Sequence, residues 1–133
     1  MTLISEPREG TLVLRPADEW DDVLQAELSR IVRSQLGSGG RSFLVDLTAT
    51  THIRFRVLEK LLDLHGEVRR AGGELVLAAP SFYLMEILAA GDVPRSIPVY
   101  PSEASAALGI RPDFAASLQQ PREGERRGSG LVI

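Results

Sequence analysis

Apolar and polar positions along the 133-residue chain follow two alternating rhythms. Short apolar runs read as strands: TLVLRP at 11–16, SFLVDL at 42–47, ELVLAAP at 74–80 and IPVY at 97–100. TLIS at 2–5 is placed to pair with the first of these through the charged turn EPREG. Between the strands the spacing turns helical. Leu24, Leu28, Ile31 and Val32 predict a helix over 18–36, with Asp18 as its N-cap and with Glu19, Asp21 and Asp22 suited to the positive end of the helix dipole. GSGG at 37–40 stops it. Leu58, Leu61 and Leu62 predict a second helix that opens within THIRFRVLEKLL (51–62) and ends at Ala71-Gly72-Gly73. SFYLMEILAAG (81–91) and SEASAALGI (102–110) predict two shorter ones. SFLVDL and ELVLAAP are continuously apolar, the signature of strands covered on both faces, and strand–helix alternation with glycine stops implies parallel neighbours joined by right-handed crossovers. The expected fold is α/β, a small mixed, mostly parallel sheet of about four or five strands with helices packed against it, over residues 1–110.

Residues 111–133 have another character. They carry two prolines, three glycines and a charge run, with one apolar triplet at Leu131-Val132-Ile133, and too little apolar surface to bury; a mobile tail is expected.

Composition narrows the function classes. Hydrophobic residues make up 44% of the chain, enough for one modest core. Fifteen basic against eighteen acidic side chains give a net charge of −3, with no Lys/Arg cluster able to follow a phosphate backbone, so nucleic acid is not an expected partner. MTLISEPREG lacks the positive start and apolar run of a secretory signal, and no stretch approaches the length of a membrane span, so the expectation is a cytoplasmic protein without direct membrane insertion. Cysteine is absent, which excludes disulfides and thiolate chemistry.

Candidate chemistry is sparse. His52 and His65 are thirteen residues apart with no ligand-spaced carboxylates, which gives a metal site little support; His65, between Leu62 and Val68, reads as a partly buried helix-edge residue. GSGG follows a helix and does not stand between strand and helix, so it is no phosphate-binding loop. The acidic run at 18–22 serves a helix dipole, and no nucleophile has a convincing base. No enzyme and no cofactor is expected.

A set of framework positions adds a family. Asp46-Leu47-Thr48 closing a strand, Ile53 and Leu58 around the next helix start, Gly72-Gly73 before Leu75 and Leu77, then Leu88, Gly91, Val99-Tyr100 and Ala106 occur in order and at matching separations. Together they resemble the STAS family, the domain of bacterial anti-sigma-factor antagonists and of the tails of sulfate transporters, over residues 1 to about 110. The fold the resemblance implies agrees with the pattern of strands and helices.

The chain departs from that family at one turn. There the second helix opens with Asp-Ser-Ser/Thr-Gly, whose first Ser is phosphorylated by a partner kinase and whose Gly lets the partner come close. This chain has Arg54, Phe55, Arg56 and Val57 in those places. Phe55 has no hydroxyl, Arg has the wrong charge to imitate phosphate, and Val adds bulk where the resemblance places a glycine. Two arginines at a helix N-terminus oppose its dipole. Either Arg54 and Arg56, with His52 nearby, hold an anion or an acidic partner, or the pair reflects drift at an exposed turn. Thr48, Thr50 and Thr51 are alternative phosphoacceptors; the plainer reading is that Thr48 ends its strand and the other two satisfy turn or cap hydrogen bonds.

What remains concerns surfaces. Leu84, Met85 and Leu88 supply the inward stripe of the third helix and leave Phe82 or Tyr83 without a core position. The resemblance implies contact with partners through the second-helix start and the neighbouring third-helix surface. The expected partner surface therefore contains His52, Arg54, Arg56, Phe82 and Tyr83. The expected function is that of a non-enzymatic regulatory or adaptor domain in signal transduction and transcription regulation. It would bind an anti-sigma factor or kinase-like protein without phosphorylation at the usual serine. Two alternatives stand beside it: the cytoplasmic STAS subunit of an ABC-type membrane transport complex, docking on the transporter ATPase, and a sensor holding a nucleotide or lipid headgroup at Arg54 and Arg56. A homodimer is left open.

Overall fold

The computed structural model describes residues 2–109. Thr2–Arg8 (β1) and Thr11–Trp20 (β2) form an antiparallel hairpin about Glu9-Gly10. The turn needs only those two residues of EPREG, because both adopt positive φ. Then follow Asp22–Gly37 (α1), Ser42–Asp46 (β3), Thr50–Ile53 (β4), Phe55–Arg70 (α2), Glu74–Ala78 (β5), Phe82–Ala90 (α3), a 3-10 turn at Val93–Arg95, Val99–Tyr100 (β6) and Glu103–Gly109 (α4). The strand order is β1-β2-β3-β5-β6, with β2, β3, β5 and β6 parallel and β4 paired with β2. The sheet is mixed and mostly parallel as expected, with six strands because β4 joins those legible in the sequence.

Alternation along the strands divides the core. Leu14, Phe43, Val45, Leu75 and Leu77 point to one face and meet the buried stripes of α1, α2 and α3. Val13, Leu44, Val76 and Ala78 point to the other and meet Tyr100 and Ala106. Hence β3 and β5 are covered on both sides, as their unbroken apolar sequence requires. Each leucine fully removed from water contributes about 1.5–3 kcal/mol, so burial on both faces anchors these two strands firmly. Two glycines are set by contact. A Cβ on Gly73 would lie 2.4 Å from the Arg41 carbonyl oxygen, and one on Gly91 would lie 2.5 Å from Cδ1 of Leu58, where the end of α3 closes on α2.

One boundary differs from the sequence reading and one strand is added to it, for one reason. Asp18 does not cap α1. It lies in β2 with φ 63°, at a register shift between Asp18 and Glu19, and Asp21 is the cap, its Oδ1 accepting from the Leu24 N–H at 3.0 Å. α2 starts at Phe55 with Arg54 as its N-cap residue, inside the stretch expected to open it, and Thr50–Ile53 before it forms a strand. Beyond Leu14 the parallel partner of β2 changes from β3 to β4, pairing Glu19 with His52 and Trp20 with Ile53. That long-range pairing keeps both segments extended, and neither segment carries a local sign of it. The expected tail, 111–133, lies outside the described residues.

Candidate functional site

The loops leaving the carboxyl ends of β3 and β5 meet at one corner of the sheet, where β4, α2 and α3 begin. Ala79 sits just past β5 in a left-handed conformation, φ 58°, its N–H donating to the Tyr100 carbonyl at 2.8 Å. The chain then turns into α3, whose first N–H groups are capped by Ser81: Oγ accepts from the Leu84 N–H at 3.1 Å. With Leu84 and Leu88 buried, the first turn carries Phe82 and Tyr83 outward, 81% and 50% exposed. Both surplus aromatics are therefore on the surface. Tyr83 also ties α3 to β4, its Oη lying 2.7 Å from Nδ1 of His52 with the rings stacked at 5.8 Å. Phe55, 61% exposed at the start of α2, is a third aromatic on these elements. It borders an open groove of about 620 Å3 between α2 and the end of α3, with Leu58, Leu62, Ala90 and Gly91 along it.

Arg54 is the N-cap residue of α2 and its side chain makes no cap hydrogen bond. The dipole conflict seen in sequence is met from within the chain. Arg54 Nε donates to Glu19 Oε2 at 2.8 Å, and Asp22 lies 3.6 Å from Arg56 and 3.5 Å from Lys60. The hydrogen bond to Glu19 holds the Arg54 pKa above its ordinary value. Carboxylates of the acidic run thus answer the arginines, a role the sequence reading had not given to Glu19 or Asp22. All these partners are substantially exposed, so water and salt screen them. Val57 differs from the reading of its bulk. Its side chain is fully buried under the sheet-facing stripe of α2, so it packs inward and adds nothing to the outer surface.

The three threonines separate. Thr48 is exposed, and its N–H and hydroxyl both donate to Asp46 Oδ1, at 3.0 and 2.6 Å, closing the end of β3. Thr50 is buried with its hydroxyl donating to the Pro16 carbonyl at 2.7 Å, a cross-strand bond in place of the turn or cap bond expected. Thr51 is exposed. Burial pushes the Asp46 carboxyl up, but the Thr48 hydroxyl, the Thr48 N–H and Arg15 outweigh it and hold the group below the usual carboxylate range. A carboxylate so stabilised is a weak base, so the Thr48–Asp46 pair is poorly suited to nucleophilic catalysis. Arg15, which the sequence reading passed over inside an apolar run, reaches Glu6, Asp46 and Glu103 at once. His65 is buried on α2 with Nε2 unpartnered, and burial, then the charge of Arg69, lowers its pKa.

The family model of the STAS domain matches residues 3–106. An anti-sigma factor antagonist from Mycobacterium paratuberculosis is similar in structure at 18% identity, with a TM-score of 0.72 over 83% of this chain and 93% of that one. A Thermotoga maritima protein described as an anti-sigma factor antagonist matches at 16% identity and a TM-score of 0.74, over 82% of this chain and 94% of that one. The murine anion transporter Slc26a9 matches at 14% identity and a TM-score of 0.63, over 77% of this chain and 18% of the transporter. At these identities the likeness is one of fold. No curated protein sequence matches the chain. Among the described residues, no helix is long and apolar enough to cross a membrane.

Proposed function

The chain belongs to the STAS domain family, and from that premise we propose that it is a non-enzymatic regulatory or adaptor domain of the cytoplasm that binds a protein partner, an anti-sigma factor or kinase-like protein, without phosphorylation at the family's serine position. The observation that carries this reading is the corner described above. Phe55 lies exposed where the family resemblance implies the phosphoacceptor, and Phe82 and Tyr83 lie exposed on the neighbouring helix start. Large exposed rings held on rigid helix starts supply contact area at low entropic cost, the property that makes aromatic residues interface anchors. The His52–Tyr83 contact fixes one of them before any partner arrives. The sensor reading loses support because Arg54 and Arg56 already pair with Glu19 and Asp22. Docking on a transporter ATPase would use the same corner and differs in the partner alone.

Binding to a purified kinase-like anti-sigma factor and to a transport ATPase, measured by titration calorimetry, tests the proposal. Phe82→Ala is expected to weaken binding by about 1–3 kcal/mol and to leave Tm unchanged, since the ring buries little against its own chain. Full affinity in that variant would remove the corner from the interface.

A further inference from the structure

On the sheet face that α1, α2 and α3 leave free, ion pairs tie α4 to the sheet. Arg15 donates from Nη2 to Glu103 Oε2 at 2.6 Å, from Nη1 to Glu6 Oε1 at 2.6 Å and from Nε to Asp46 Oδ2 at 3.3 Å. Arg8 bonds Glu103 and Glu6 as well. Among the residues whose side chains are described, Ala106 is the buried apolar contact of α4 with Val13, Leu44 and Val76. Asp46 has a second set of bonds. While Oδ2 takes Arg15, Oδ1 takes the N–H and hydroxyl of Thr48. A continuous hydrogen-bonded chain, Glu103–Arg15–Asp46–Thr48, therefore runs from α4 to the turn that leads into β4 and the start of α2.

We propose that α4 and the partner-binding corner are energetically coupled through this chain, so that seating of α4 on the sheet holds the 47–53 turn and strand in place and release of α4 loosens them. The inference rests on the reading of the corner as the docking site. Arg15 is shared among three carboxylates, and its bond to Asp46 is the longest of the three. Loss of Glu103 removes one of the three bonds that fix the guanidinium, and the long bond to Asp46 is then held less firmly in place. Asp46 carries Arg15 on one oxygen and Thr48 on the other, so a carboxylate no longer fixed from the Arg15 side is free to turn, and the bonds to Thr48 fluctuate with it. A partner or modification acting on α4 could then reach the docking corner without a phosphoserine. Coupling of this kind is reciprocal, so a change at Thr48 must also shift α4.

Amide hydrogen exchange on the free protein reads the coupling in both directions. Glu103→Gln is expected to speed exchange of the Thr48 and Thr50 amides, which bond Asp46 Oδ1 and the Leu47 carbonyl, by about two- to thirty-fold. The amides of Leu61–Leu64 in α2 should keep their wild-type rates, showing that the global fold is intact. Thr48→Val is expected to speed exchange of the Ala106 amide, which bonds the Ser102 carbonyl. If Glu103→Gln loosens α4 alone and Thr48→Val leaves Ala106 at its wild-type rate, the coupling is absent. Should Glu103→Gln accelerate every amide, the Thr48→Val arm decides. No partner enters these measurements, so the coupling can fail while Phe82→Ala still weakens binding, and the docking reading can fail while the coupling stands.

Discussion

Val57 and Phe55 are two residues apart in the first turn of α2, and they face opposite ways. Phe55 is mostly in solvent and Val57 has no exposure at all. Phe55→Ser should therefore be nearly neutral, whereas Val57→Gly removes a buried side chain and adds a flexible residue to a helix, for a loss of about 2–4 kcal/mol in chemical denaturation. Equal effects would mean that Val57 does not pack as described. His65 offers a second test at this scale. Its neutral form is favoured in the folded state, so its contribution is fully present above the ordinary value of 6.5 and is lost as pH falls through 6.5 toward the lower folded value. His65→Leu removes both the titration and the unpartnered Nε2. The variant should show a flatter dependence of Tm on pH between about 7.5 and 5.5 than the wild type. Parallel slopes would assign the acid sensitivity to other groups.

Among the elements, the legible ones are those whose own spacing dictates them. The apolar stripes of α1 and α2 and the unbroken runs of β3 and β5 are present where the pattern placed them, because burial on one face or two leaves a periodic trace. β4 and the last residues of β2 were not legible. ADEW and TTHI have no apolar alternation of note, and they are extended because each pairs with the other. Part of the candidate site followed the same division. The exposure of Phe82 and Tyr83 could be anticipated from the short inward stripe of α3, while the Glu19–Arg54 pair and the Arg15 network depend on strand registers that no local pattern reveals. The strained link before α3 makes its own prediction. Ala79 holds a left-handed backbone at φ 58°, a conformation that costs a residue with a Cβ about 1 kcal/mol and costs glycine little. Ala79→Gly is expected to raise stability by up to about 1 kcal/mol, less what the added freedom of the unfolded chain takes back, and a clear loss in denaturant titration would show that the Cβ is needed there.

At the scale of the whole molecule, one sheet carries both the core and the exposed aromatic corner. Its helix-covered face supplies most of the core, and its carboxyl end presents three aromatic rings from β5–α3 and β4–α2 on a fixed frame. At the start of α2 the chain presents the exposed ring of Phe55, and Glu19 and Asp22 pair with the flanking arginines. On the proposed function, such a surface would bind its partner without removal of a phosphate. The most direct measurement is phosphate incorporation from ATP by a kinase-like anti-sigma factor, followed by intact mass and phosphopeptide mapping. Wild type is compared with the triple variant Arg54→Asp, Phe55→Ser, Arg56→Ser, which keeps the buried Val57. The wild type is predicted to acquire no phosphate between residues 48 and 57, and the variant to acquire one within the substituted turn. Stoichiometric phosphate on wild-type Thr48, Thr50 or Thr51 would contradict binding without a phosphorylation switch.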